Sequence, residues 1–280
     1  TIKGLNGGHS GMDIHKGLGN ANKLMNRVLR SIRNACPVQL VSIDGGSLRN
    51  AIPREATAVI AVNHEFEGQV DLEFNTIALT IKNEYKSLEK ELLIEFKPTS
   101  SEAKAVGSDD TDKIINALYA VPNGVFRMSP DIEGLVETSS SLARVIVKDG
   151  EFSTQSLQRS SVESTKDDVA NSVRASFELM GAEVIQNGDY PGWQPNPNSA
   201  ILDIMSNLYR EKFNDDPKIK ACHAGLECGI LGKHLPDADM ISFGPNIRAA
   251  HSPDEKVQIS SVQKFWDYLL DVLKEIPTKN

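Results

Sequence analysis

The sequence predicts an α/β chain in two parts: two sheet-plus-helix units, then the incomplete remainder of a second α/β domain. Three observations carry this expectation. Strand-sized apolar runs alternate with amphipathic helical stretches in the first two-thirds of the chain, an Asp-Gly pair joins two of the strands, and a proline cluster marks a change in composition near residue 190. At 280 residues the chain is long enough for about two domains of roughly 150 residues each, each with its own core.

Taken in order, residues 20–33 form the clearest helix. Ala21, Leu24, Met25, Val28, Leu29 and Ile32 recur with helical spacing, and Asn20 stands at the N-cap. Residues 38–43 and 57–62 read as strands separated by a turn-rich stretch through Gly45-Gly46 and Ile52-Pro53. A second long helix is expected over residues 69–94, marked by Val70, Phe74, Ile77, Ile81, Leu88 and Leu92. Residues 97–111 carry Pro98, several serines and two adjacent aspartates, and read as a loop. A short helix over 113–120 and a turn at 121–125 follow.

Residues 142–148 and 151–158 make a hairpin, because Asp149-Gly150 supplies the positive φ of a type I′ turn. The stretch Thr165-Lys166-Asp167-Asp168 caps a helix marked by Val169, Val173, Phe177 and Met180, and a strand follows near Val184. Pro191, Pro195 and Pro197 then forbid a continuing helix or central strand, so the domain boundary is placed between 189 and 190. Beyond it are a helix marked by Ile201, Ile204, Met205 and Leu208, a loop with Gly and Cys, a strand over 240–243, a loop over 244–255 and a closing amphipathic helix. With so few strands, residues 190–280 read as the C-terminal part of a domain. The chain also opens at Thr1 just ahead of a glycine-rich motif, which is the expectation for a fragment.

Composition excludes several function classes. Thirty basic against thirty-eight acidic residues give a net charge of −8 with no basic cluster, so nucleic acid is not an expected partner. No apolar run approaches the roughly 18 residues of a membrane span. Three cysteines in a long chain fit free thiols in a reducing compartment.

The candidate chemistry is sparse when residues are weighed singly. Gly17-Leu18-Gly19 lacks the third glycine and preceding strand of a dinucleotide site, and Ser10 beside Gly11 lacks the spacing of a nucleophile elbow. Cys222, His223, Glu227 and Cys228 fit no common zinc spacing, so loop packing is the simpler reading. The glycine of Ala224-Gly225 would let a ligand approach the backbone. His251, after two alanines and beside Asp254 and Glu255, is a candidate metal ligand oriented by carboxylates. His9 in its glycine frame is placed for a ligand or for a solvent-facing turn, while His15, His64 and His234 read as surface residues. Arg159 could grip a carboxylate through two parallel bonds or pair with a nearby glutamate.

Together, however, Gly7-Gly8-His9-Ser10-Gly11, Gly19-Asn20-Ala21-Asn22-Lys23-Leu24, Leu48-Arg49-Asn50-Ala51-Ile52-Pro53-Arg54-Glu55, Tyr190-Pro191-Gly192-Trp193, His223-Ala224-Gly225-Leu226-Glu227-Cys228-Gly229 and His251-Ser252-Pro253-Asp254-Glu255 resemble the bacterial cytosol nonspecific dipeptidases. These are also known as aminoacyl-histidine dipeptidases or carnosinases, cytoplasmic metallopeptidases of the co-catalytic zinc type. The resemblance runs in order over nearly the whole chain.

It implies that residues 1–189 are an α+β lid domain that covers substrate and mediates dimerisation. Residues 190–280 would be the returning part of an α/β catalytic domain that holds two zinc ions. By the same resemblance, His9 donates to the oxyanion, Asn50, Arg159 and Gly225 hold the dipeptide, with Arg159 on its C-terminal carboxylate, and His251 is the last zinc ligand. The other ligands and the general base would lie outside this chain, so the chain alone is expected to be inactive and the intact protein a homodimer. The competing readings are a non-catalytic association module and part of a related aminoacylase or carboxypeptidase.

Overall fold

The computed structural model describes residues 1–196, 198–221, 227–248 and 255–276. They fall into two compact units, the first running through Gly192 and the second beginning at Trp193.

The first unit is built on one seven-stranded sheet in which every pairing is antiparallel, the α+β arrangement. In chain order its elements are β1 (Ile2–Lys3), β2 (Gly8–His9), α1 (Ala21–Ala35), β3 (Val38–Gly45), β4 (Ala51–Ile52), β5 (Ala56–Val62), α2 (Glu67–Tyr85), β6 (Leu93–Ile94), α3 (Ser108–Ala120), β7 (Gly124–Met128), β8 (Val136–Lys148), β9 (Glu151–Ser160) and α4 (Glu163–Glu178). The two expected sheet-plus-helix units are joined edge to edge, because β3 pairs with the C-terminal end of β8.

Strand β8 organises the sheet. Strand β9 pairs with it from Thr138 to Lys148, and the turn between them has Asp149 at φ 52° and Gly150 at φ 83°, as the hairpin requires. On the other edge β7 pairs with 136–140 and β3 with 145–147, leaving a gap opposite Leu142. Three asparagines fill it. Asn20 and Asn22 both donate to the Leu142 carbonyl, while Leu142 N–H donates to Asn123 Oδ1. Asn20 also caps α1 as its position in the sequence predicts, accepting from Asn22 and Lys23 N–H.

Helices α1 to α4 share one apolar core with the sheet, centred on Leu24, Ile32, Leu40, Ile81, Leu118 and Leu142. Bidentate pairs Arg27–Glu84 and Arg33–Asp112 tie α1 to α2 and α3. Lys23 donates to the carbonyls of Leu118, Tyr119 and Val121, closing the C-terminal end of α3.

Several expectations need correction. The helix expected over 69–94 ends at Tyr85, and Leu93–Ile94 is a strand pairing with β1. Burial of Leu92 and Ile94 is satisfied at a sheet edge, which apolar spacing alone cannot tell from a helix. Helix α3 begins at Ser108, inside the expected loop, with Asp109 and Asp110 in its first turn. The expected turn at 121–125 runs into β7. Helix α4 starts before Thr165, and Thr165 Oγ1 instead bonds Ser160 and the Val162 carbonyl. No strand forms near Val184, which packs against the core as an irregular segment.

The second unit contains α5 (Ala200–Phe213), α6 (Glu227–His234), the short pair β10 (Ile247–Arg248) and β11 (Lys256–Val257), and α7 (Ile259–Glu275). The strand expected over 240–243 is absent, though Ile241 and Phe243 still pack on α7 residues. The core is small: Met205, Tyr268 and Val272, with Tyr209 and Phe213 around them, and Tyr268 donating to the Met205 carbonyl. Much of α7 stays exposed, including Ile259, Trp266 and Leu273. Among the described residues no helix is long and apolar enough to cross a membrane.

Candidate functional site

The glycine-rich segment forms a tight structure around His9. Strands β2 and β4 pair so that His9 lies opposite Ala51, and Ser10 N–H donates to the Asn50 carbonyl at 2.8 Å. The pairing brings residue 9 to the turn that carries Asn50, whose side chain is exposed. Gly8 has φ 153°, and a Cβ there would collide with the Asp13 side chain, so a residue with a side chain does not fit.

Asp13 and His9 grip each other. His9 N–H donates to Asp13 Oδ2 at 2.8 Å, Asp13 N–H donates to the His9 carbonyl at 3.0 Å, and Lys16 donates to Asp13 Oδ1 at 2.6 Å. Burial raises the Asp13 pKa, but the bonds from Lys16 and from His9 N–H outweigh it and leave the carboxyl below its ordinary value.

The imidazole is fixed by the turn that follows. The N–H groups of Gly11 and Met12 both donate to His9 Nδ1, at 3.1 and 3.0 Å. A nitrogen that accepts two hydrogen bonds carries no proton, so the neutral ring bears its hydrogen on Nε2. His9 is therefore a preorganised donor through Nε2–H.

Arg159 reaches the same place from the far end of the hairpin. It is the penultimate residue of β9, opposite Ser139 of β8, and half-buried. Gly11 lies between the two side chains: a Cβ built on it would stand 3.0 Å from Arg159 Cδ and 3.2 Å from His9 Cε1. Thus His9 and Arg159, 150 positions apart in sequence, converge on one glycine, with Asn50 on the adjoining turn. The loop rests on the start of β8 through Ile14, Leu18, Ile52 and Val136. Beneath it β8 is buried from Val136 to Ala143 and carries Glu137, Thr138, Ser139, Ser140 and Ser141. Thr138, Ser160 and Thr165 share hydroxyl bonds there, and Glu137 pairs with Arg127.

The remaining candidates are placed differently. Gly225 and His251, like Cys222 and His223, lie outside the described residues. Cys228 sits in α6, where burial and then the Glu227 charge push its thiol above the ordinary value, away from thiolate chemistry. His15, His64 and His234 are exposed, and His64 pairs with Glu67. Among the described residues no group of three or more His, Cys, Asp or Glu is arranged to hold a metal ion. Sequence reasoning reads Gly11 only as part of the glycine-rich motif and gives Asp13 no role of its own. The four-residue spacing of His9 and Asp13 was the one local signal; the rest depends on strand register.

Comparison with known proteins gives a consistent picture. Residues 1–89 match the M20 peptidase dimerisation domain. The chain is 43% identical over 279 residues to a cytosol non-specific dipeptidase of Escherichia coli (strain K12), a match covering 100% of this chain and 58% of that protein. It is also similar to the crystal structure of an aminoacylhistidine dipeptidase from Vibrio alginolyticus, with TM-score 0.93 and 40% identity, over 100% of this chain and 57% of that one. The chain thus spans a little over half the length of these relatives. Over its whole length the chain is similar to a cytosol non-specific dipeptidase and an aminoacylhistidine dipeptidase, and residues 1–89 match the M20 peptidase dimerisation domain.

Proposed function

We propose that the intact protein is a cytoplasmic, metal-dependent dipeptidase, and that this chain supplies the part that covers and holds the substrate. Residues 1–189 act as the lid and residues 190–280 as the returning portion of the catalytic domain. A homodimer is the proposed assembly, in keeping with the domain matched at residues 1–89. The proposed metal is zinc, two ions in the intact site, with His251 as this chain's ligand. The described residues do not themselves assemble such a site.

The observation that carries the reading is the convergence of the His9 donor and the Arg159 guanidinium on Gly11. In the reaction, His9 Nε2–H donates to the carbonyl oxygen as it gains negative charge in the tetrahedral intermediate. A donor already fixed in its tautomer needs no reorganisation at that moment. Arg159 grips the C-terminal carboxylate through two parallel bonds, which limits the substrate to one residue beyond the scissile bond. Asn50 and the Gly225 backbone are the further residues proposed to hold the peptide.

Kinetics on the intact protein test this. His9→Ala lowers kcat by about 10²–10³, the loss of one oxyanion donor. Arg159→Ala costs about 2–5 kcal/mol on dipeptides and far less on their C-terminal amides. Near-normal turnover in the first variant, or equal losses on both substrate types in the second, defeats the assignment.

A further inference from the structure

We infer that Glu89 is a positioning residue for His9: its carboxylate closes the base of the segment 6–19 that carries the histidine. The inference rests on the reading of His9 given above. Glu89 follows α2 in the turn built on Tyr85, and only 2% of it is exposed. Its Oε2 accepts from Asn6 N–H at 2.7 Å and its Oε1 from Gly19 N–H at 2.8 Å. Asn6 Nδ2 adds a bond to the Leu88 carbonyl at 2.7 Å. One end of the segment thus leads through Gly7 and Gly8 into His9, and the other leads into the Asn20 cap of α1.

No ion pair to Glu89 is present among the described residues. Burying a carboxylate without a cation is costly, and two charge-assisted N–H bonds are what offset it. The chemistry required is two acceptors in one side chain. Glutamine offers one acceptor and one donor, so it can serve only one of the two N–H groups, and aspartate is too short to reach both. With the base open, β2 and its histidine lose their fixed distance from α1. A displacement near 1 Å at a reacting group costs about 10² in rate.

The test uses Glu89→Gln and Glu89→Asp. In this chain, ¹⁵N spectra of labelled histidine read the tautomer of His9. Wild type gives one Nε2–H form with a bonded Nδ1, and both variants give a mixture. In the intact protein kcat falls about 10- to 100-fold while KM moves less than about twofold. A folded Glu89→Gln variant with the wild-type His9 signature overturns the inference, whatever its kcat. A shifted signature with unchanged kcat, in a protein where His9→Ala is also silent, sinks the oxyanion reading and leaves the positioning role standing. If neither variant folds, hydrogen exchange on the wild type decides. Asn6 and Gly19 amides protected about a hundredfold beyond the other loop amides support the clamp, and unprotected ones refute it.

Discussion

Replacing Asn20 tests whether the start of α1 is held as a helix cap or as a strut onto β8. Its Oδ1 accepts from Asn22 and Lys23 N–H at 3.0 and 3.2 Å, while its Nδ2 donates to Asn123 Oδ1 and the Leu142 carbonyl at 2.9 and 3.0 Å. Asn20→Ala removes a cap worth about 1 kcal/mol and two donated bonds of about 1 kcal/mol each, about 3 kcal/mol together. Leu142 keeps its bonds to Asn22 and Asn123, so no further penalty arises. Asn20→Asp preserves the cap and would be nearly neutral at an exposed helix start. Here a carboxylate oxygen would face two oxygens where an amide N–H₂ stood, at a residue 5% exposed. Its cost is therefore at least that of alanine.

Urea unfolding of the first unit at pH 7, followed by far-UV circular dichroism and by exchange protection of α1, provides the assay; the chain has two units and no single global transition is assumed. The aspartate variant also carries a pH signature. Its folded pKa is raised, so the folded state binds more protons than the unfolded one between the two values. Its stability relative to wild type then falls as pH rises through that window. An aspartate variant as stable as wild type, or clearly milder than the alanine one at pH 7, would refute the strut.

Two other predictions follow from the site. In Gly11→Ala the new methyl meets Arg159 and His9 at 3.0–3.2 Å, a few tenths of an ångström inside ordinary contact, and His9 is pinned. Arg159 must yield, so kcat/KM for dipeptides falls about tenfold in the intact protein while the unfolding midpoint barely moves; unchanged kinetics would contradict the geometry. Asp13 has a depressed pKa, so its hold on His9 is full above the ordinary value of 3.8 and is lost as pH falls below it. Amide exchange of residues 9–16 should stay slow through pH 5 and quicken only in stronger acid, and in Asp13→Asn it should be fast at both; loosening of the wild type near neutrality would rule the anchor out.

The parts of this protein legible in its sequence are those set by local rules. Helix α1 with its Asn20 cap and the Asp149-Gly150 hairpin follow from spacing and turn chemistry, and both are present as expected. The misread stretch after Tyr85 shows the limit. Leu88 and Leu92 continue a helical spacing by chance, while the chain there turns back to lay Leu93–Ile94 beside β1. The site divides the same way. His9 and Arg159 were reached through family resemblance, but their meeting at Gly11 depends on β2 pairing with β4 and on the full register of β8 with β9. The first pairing has no short-range signature, and Asp149-Gly150 fixes the second only at its turn, not across the register shift between Leu142 and Arg144 that sets where Arg159 falls.

The asparagine-filled gap opposite Leu142 separates the bookkeeping of two strands that share one edge. Because side-chain amides and not a continuous ladder lie between β7 and β3, a one-residue insertion in β7 has no rail along which to push β3 out of step. The strand beside the buried hydroxyls can gain or lose residues over evolutionary time while the one that seats α1 keeps its inward-facing Leu40 and Ile43.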